Sequence, residues 1–245
     1  MKKNTEKKTI DSFQFHPGRV LAQKYEIVGH LGTGWEGEVF KVRELGTGIE
    51  RAAKFYFPQR NPRDRTSSFY AKKLHKLRHC PILIQYHSRE IIQYRRTPIT
   101  FLVSDFVEGE LLTDFVKRQP GGRLTPFQAL HLLHSLTSGL ECIHNLGEYH
   151  GDIHDENIMV SRKGLGFQVK LLDLYYRGPP SAACIQDDVC DLIGILYGLL
   201  GGRKHYARQP PEIKRICRGR KRTLILGMFR NAGQLRRYLE TMPWG

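Results

Sequence analysis

Two separated groups of residues in this chain have the types and spacing that phosphoryl chemistry needs. The first is the glycine loop LGTGWEGEVF, Leu31 to Phe40, followed seventeen residues after Gly37 by Lys54 in the apolar run RAAKFYF. Gly32, Gly34 and Gly37 let backbone approach phosphate oxygens closely, and an isolated lysine on a following strand can neutralise them. The second is HGDIHDENIMV, His150 to Val160, with Asp173 further on. Ile158 to Val160 and Val169 to Leu172 read as two short strands joined by a polar turn, so closing the hairpin brings Asn157 beside Asp173. A carboxylate and an amide carbonyl at one hairpin mouth suit a hard cation such as Mg²⁺, which keeps waters and takes its other oxygens from phosphate. Asp152, five residues before Asn157 in a loop, is placed to accept a proton from an attacking hydroxyl.

Each piece has a plainer explanation. GxGxxG alone is as often a turn as a nucleotide site, and here it joins two strands, whereas a dinucleotide-binding loop opens a helix. Asp152 and Asn157 can cap a turn, and Asp173 can end a strand. Those explanations account for one residue at a time and leave the combination unexplained.

The elements that must position these residues follow from pattern. Tyr25 to Leu31, Glu38 to Arg43 and Glu50 to Phe57 alternate as strands, with the glycine loop at the first corner and Gly46-Thr47-Gly48 at the second. Tyr70, Leu74 and Leu77 mark one face of a helix over Ser67 to Arg78, and strands are expected near Ile82 to Tyr86, continuing to Gln93, and over Thr100 to Phe106. The pattern then turns helical. Thr125, Pro126 and Gln128 form a start signal for a helix reaching about His144, and Asp188 to Leu200 reads as a buried helix.

Composition narrows the class. The chain has 245 residues, 40% hydrophobic and 26% charged, enough for a core and for one two-lobed domain or two small ones. Its five cysteines are scattered with no CxxC pair, which speaks against zinc and for a reducing cytoplasm, with Cys142 and Cys190 read as packed thiols. No apolar run is long enough to span a bilayer, and the opening MKKNTEKKTIDSFQFHPG has none to act as a signal-peptide core. The net charge of +15 is concentrated after Leu200, where twelve lysines and arginines from Arg203 to Arg237 face only Glu212 and Glu240. Such a surface attracts acidic partners, although a solvated helical face is the better explanation, since no aromatic-interleaved or groove-reading motif accompanies the charge.

With these residues in view, the chain resembles the eukaryotic-like (bacterial-type) protein kinase family over roughly residues 19 to 240. The resemblance implies an α+β, bilobal fold: a basic tail over 1–18, a small antiparallel β N-lobe over 19–104, and a hinge with a mainly helical C-lobe over 105–245. It implies ATP as nucleotide, covered by Leu31, Gly32, Thr33, Gly34, Trp35, Glu36, Gly37 and Val39, with Lys54 on the α and β phosphates. The backbone at Asp105 and Val107 would hold adenine, with Ser104 as gatekeeper. Asp152 would be the catalytic base, Asn157 and Asp173 the Mg²⁺ ligands, and His154 would stand where protein-serine kinases place a lysine. Asp188 resembles the buried aspartate that ties down the catalytic loop.

The departures from that family are specific. Residues 58 to 80 hold no glutamate to pair with Lys54, and Tyr70 occupies the equivalent position. Gly151 replaces the arginine of HRD, DFG becomes Asp173-Leu174-Tyr175, and only Leu174 to Asp187 separates the metal aspartate from Asp188. The expected function is Ser/Thr phosphorylation of a hydroxyl-bearing protein substrate. The HGD motif also resembles aminoglycoside and choline kinases, whose substrates are small molecules, and the missing glutamate leaves open a non-catalytic nucleotide-binding scaffold.

Overall fold

The computed structural model describes residues 9–164 and 166–243 and divides into two compact units. The first comprises the chain to Arg78 together with Ile84–Val107; the second comprises His79–Leu83 and the chain from Glu108.

The first unit is a six-stranded antiparallel sheet of order β1-β2-β3-β4-β6-β5. Its strands are β1 (Val20–Leu21), β2 (Tyr25–Thr33), β3 (Gly37–Glu44), β4 (Glu50–Tyr56), β5 (Tyr86–Tyr94) and β6 (Thr97–Asp105). Alternation decides which side chains enter the core: Phe40 and Val42 on β3, Ala53 and Phe55 on β4, and Phe101 and Val103 on β6 are buried together. The intervening residues of these strands lie on the other face, where the register aligns Val39, Lys54 and Leu102. Helix α1 (Arg65–Lys76) buries Tyr70 and Leu74, and Leu77 is buried just beyond its end.

Part of the stretch assigned to a tail belongs to this core. Ile10, Phe13 and Phe15 are buried, with the Phe13 and Phe15 rings stacked at 5.4 Å and Phe15 edge-on to Phe55 at 5.0 Å. The backbone N–H of Phe13 donates to the buried carboxylate of Glu38 at 2.9 Å. Aromatic burial of this size outweighs the basic composition of the flanking residues. Residues 1–8 lie outside the described residues.

The second unit holds a three-stranded sheet of β7 (Glu110–Leu111), β8 (Ile158–Lys163) and β9 (Gly166–Leu171), all antiparallel. Its helices are α2 (Leu112–Lys117), α3 (Pro126–Asn145), α4 (Ala182–Leu199), α5 (Arg203–Tyr206), α6 (Pro211–Cys217), α7 (Arg222–Leu226) and α8 (Ala232–Thr241). The predicted capping box opens α3: Thr125 accepts from Gln128 N–H while the Gln128 side chain reaches back to Thr125 N–H. Helix α4 starts six residues earlier than the apolar pattern indicates, because Ser181 caps it by accepting from Cys184 N–H. No helix among the described residues is long and apolar enough to cross a membrane.

Two local expectations are corrected. Ile82 and Leu83 are not a strand that runs on into β5; they lie in the second unit, where Leu83 bridges Leu171 and Ile82 packs against Gly139. Nor is Cys142 a packed thiol, for its sulfur is bonded to that of Cys80, with the two Cα atoms 5.6 Å apart. The residues lie 62 positions apart, so nothing in local pattern pairs them.

Candidate active site

In the first unit the glycine loop is the turn between β2 and β3, closed by Gly34 N–H donating to Gly37 C=O at 2.8 Å. The three glycines are not equivalent. A Cβ on Gly37 would lie 1.9 Å from the Phe55 carbonyl oxygen, so strand packing demands glycine there. Gly32 has nothing within 4 Å of such an atom, and Gly34 only Gly37 C=O at 3.9 Å. At these two positions the missing side chains leave space for a ligand to meet backbone. Leu31 and Trp35 are exposed, and the Arg60 guanidinium covers the Trp35 ring at 3.9 Å.

Lys54 projects from the middle of β4, on the face opposite Phe55 and on the same face as its register partner Val39. Its Nζ donates to Glu36 Oε2 at 3.0 Å, with the two side chains 14% and 23% exposed. The rings of Tyr70 and Tyr56 flank the ammonium, with centroids at 5.2 and 5.5 Å. Tyr70 therefore meets the lysine through its ring face, a cation–π contact. At the end of β6 the Asp105 carboxylate is committed to Arg51 at 3.2 Å, His87 at 2.6 Å and Gln85 N–H at 3.3 Å. The Asp105 N–H is taken as well, donating to Gln85 C=O at 3.0 Å, so of this residue's polar groups the carbonyl is the one to consider for a ligand.

In the second unit the β8–β9 hairpin forms with Ile158 opposite Leu171, and Leu172 N–H donates to Asn157 C=O at 2.8 Å. That bond brings Asn157 to the residue before Asp173, which sits in the left-handed region at φ 47°. Asn157 Nδ2 donates to Asp152 C=O at 3.1 Å and to Asp152 Oδ2 at 2.9 Å. With the amide nitrogen so committed, Oδ1 is the Asn157 side-chain atom with the chemistry to ligate a cation. His154 Nε2 lies 3.5 Å from Asp152 Oδ2, and both side chains are about two-fifths exposed. Asp152 Oδ1 is the oxygen left to take a proton.

A buried anchor holds this loop. Asp188, fully buried on α4, accepts from His150 N–H at 2.7 Å, Gly151 N–H at 2.8 Å and His144 Nε2 at 3.1 Å. His144 Nδ1 accepts from Ala232 N–H at 3.0 Å, so the ring proton is on Nε2, directed at the carboxylate. Sequence pattern assigns His144 no function beyond ending α3. Its signal lies in the fold, because it joins the loop anchor to the N-terminus of α8.

Gly151 has a local explanation as well. Its φ is +90°, and a Cβ would lie 2.7 Å from Tyr175 C=O and 2.9 Å from the Tyr149 ring. Any side chain at this position is strained and crowded, so packing against Tyr149 and Tyr175 is a local reason for glycine in the HGD motif. The Tyr149 hydroxyl donates to Gly178 C=O at 2.7 Å and accepts from Arg177 N–H at 2.8 Å; burial pushes its pKa up. Arg177 reaches Asp187 at 3.5 Å and Asp191 at 4.0 Å, and burial raises the Asp191 carboxyl to about 6 against the pull of Arg177.

No group of three or more His, Cys, Asp or Glu able to hold a metal occurs among the described residues. A pair such as Asn157 and Asp173 fits a cation that arrives with phosphate oxygens and water.

Comparison with known proteins agrees with these features. A family model described as "Protein kinase domain" matches residues 25–175. Serine/threonine-protein kinase pkn2 of Myxococcus xanthus is 30% identical over 158 residues, which are 63% of this chain and 18% of that protein. CBL-interacting protein kinase 29 of Oryza sativa subsp. japonica is 32% identical over 158 residues, 60% of this chain and 34% of its own length. The chain thus spans 18% and 34% of the length of these two relatives. Among solved structures, the PknI kinase domain of Mycobacterium tuberculosis superposes with a TM-score of 0.66 at 18% identity, covering 94% of this chain and 98% of the other, which is a likeness of fold.

Proposed function

Because the chain belongs to the protein kinase domain family, matched over residues 25–175, we propose that it transfers the γ-phosphoryl group of ATP to a serine or threonine hydroxyl of a protein. The observation that carries this reading is the fixed Asp152 carboxylate. One of its oxygens is held by Asn157 at 2.9 Å, and the other is free to accept the proton of an attacking hydroxyl.

Asp152 then orients the acceptor oxygen, and Lys54 binds the α and β phosphates. His154 places a further N–H near the transferred group. Asn157 Oδ1 and the Asp173 carboxylate would hold Mg²⁺, whose charge would offset that of the phosphates. The open backbone at Gly32 and Gly34 accommodates the nucleotide phosphates, beside Leu31, Thr33, Trp35 and Val39, and the backbone of Asp105 and Val107 binds adenine. There is little covalent chemistry for the protein to perform, so its contribution is positioning and electrostatics.

An ATP-consuming protein works where ATP is made, and on that ground we assign this one to the cytoplasm; the Cys80–Cys142 bond withdraws the support that the cysteine pattern gave. The exposed cations Arg203, Lys204, Arg208, Lys214, Arg215 and Lys221 suit an acidic partner, whose binding would weaken steeply with salt. The test of function is transfer of labelled phosphate from ATP with Mg²⁺ to a protein acceptor. Asp152→Asn should reduce transfer by about 10²-fold or more while MgATP still raises the melting temperature. Undiminished transfer by Asp152→Asn would remove the proposal.

A further inference from the structure

Lys54 lacks the helix carboxylate that the family resemblance leads one to expect, yet its ammonium has a carboxylate partner. That partner comes from the glycine loop: Glu36 Oε2 lies 3.0 Å from Lys54 Nζ. Both side chains are largely withdrawn from solvent, 14% and 23% exposed, so the pair is screened less than a surface ion pair.

The backbone explains why Glu36 reaches Lys54. Gly37 is the first residue of β3 and stands in register with β4, opposite Tyr56. One residue further into the turn, Glu36 C=O accepts from Phe57 N–H at 2.9 Å, so Glu36 stays tethered to the strand that carries Lys54. Strand alternation back from Phe40 and the buried Glu38 would send Glu36 to the core face. Because it sits in the turn closed by Gly34 and Gly37, its side chain goes to the other face, where Lys54 points. Gly37 is fixed as glycine by the Phe55 carbonyl, which keeps the turn in this shape.

We infer that Glu36 is the positioning residue for Lys54, supplying from the glycine loop the carboxylate that is missing from α1. Both members of the pair belong to the paired strands β3 and β4 and the turn that leads into them. Holding the lysine extended therefore requires no particular rotation of α1, and its alignment is built into the sheet. The role of α1 at this point passes to Tyr70, whose ring lies against the ammonium at 5.2 Å and offers a weaker attraction than a carboxylate. Lys54 has three N–H donors, of which the bond to Glu36 takes one.

The inference rests on the reading of Lys54 as the phosphate-binding lysine, and the experiment separates the two. Steady-state kinetics against MgATP, together with the apo melting temperature, would be measured for Lys54→Met, Glu36→Gln, Glu36→Asp and the double variant Glu36→Gln/Tyr70→Glu. Glu36→Gln should lower kcat/KM for MgATP about ten-fold, mostly through KM, with an apo melting temperature close to that of the parent. Glu36→Asp should fall between the two. Tyr70→Glu should restore much of the loss, since position 70 already faces the ammonium. An unchanged KM in Glu36→Gln, or a lowered one showing that Glu36 competes with phosphate for Lys54, would overturn the inference while a defective Lys54→Met left the assignment of Lys54 standing. Full activity in Lys54→Met would overturn both.

Discussion

Replacing Asp188 tests whether the catalytic loop is held as the geometry indicates. The carboxylate is fully buried and accepts three hydrogen bonds, from His150 N–H, Gly151 N–H and His144 Nε2. In Asp188→Ala, two buried backbone N–H groups lose their acceptor, and each unsatisfied donor costs about 1–3 kcal/mol. The imidazole N–H is orphaned as well, and a small cavity opens. These losses share one network and do not add fully, so the expected destabilisation is about 3–5 kcal/mol. Asp188→Asn keeps the shape and one accepting oxygen but turns an amide N–H₂ toward a donor, and about 1.5–3 kcal/mol should be lost. Urea denaturation should therefore rank the proteins parent, Asn, Ala, with the Ala midpoint lower by about 1–2 M. A cycle combining Asp188→Asn with His144→Phe should be non-additive by about 1 kcal/mol. Midpoints within about 0.2 M of the parent for both Asp188 variants would refute the anchoring argument, and additivity with His144 would sever that residue from it.

Further outcomes follow from the same geometry. Asp191 has its pKa raised to about 6 in the fold, above the ordinary 3.8. The folded protein then holds the proton more tightly, and stability falls as pH rises from about 4 to 6. Asp191→Asn should be more stable than the parent at pH 7.5 by about 1–2 kcal/mol, allowing for its 34% side-chain exposure, with the gain gone at pH 4; pH-dependent melting checks this. Gly151→Arg, which restores the kinase arginine, should destabilise by about 2–4 kcal/mol, given a φ of +90° and a Cβ 2.7 Å from Tyr175 C=O. Parental stability in that variant would contradict the steric account. Reduction of Cys80–Cys142, which closes a loop of 62 residues, should lower stability by about 4 kcal/mol. Melting with and without reductant, beside Cys142→Ser, measures it; the Ser variant should melt low and ignore the reductant.

What could be read in the sequence was short-range. Thr125, Pro126 and Gln128 lie within one turn, and their capping box forms as the spacing predicts. The hairpin that carries Asn157 to Asp173 is similarly legible, because Ile158 to Val160 and Val169 to Leu172 are close in sequence and joined by a turn. The start of α4 was hidden because Ser181 caps it ahead of a stretch whose apolar pattern begins only near Asp188. Phe13 and Phe15 were lost among charges, since a basic segment gives no local sign that an aromatic core will take two of its rings. Contacts at long range carry no periodicity at all, and Cys80 with Cys142 and His144 with Asp188 belong to that class.

Glu36 is the instructive intermediate. It is eighteen residues from Lys54, and hairpin register alone brings it opposite Phe57, within reach of the lysine. Strand alternation would nevertheless assign its side chain to the core face, and only the turn geometry at Gly34 and Gly37 reverses that assignment. The absence of a helix glutamate was visible in composition, while its replacement depends on a backbone bend. A sequence that lacks an expected ion-pair partner therefore cannot be read as lacking the pair, because a hairpin supplies many positions close to a strand lysine. Here the partner comes from the glycine loop and not from a helix, and that shift makes the alignment of Lys54 a property of the β3–β4 hairpin.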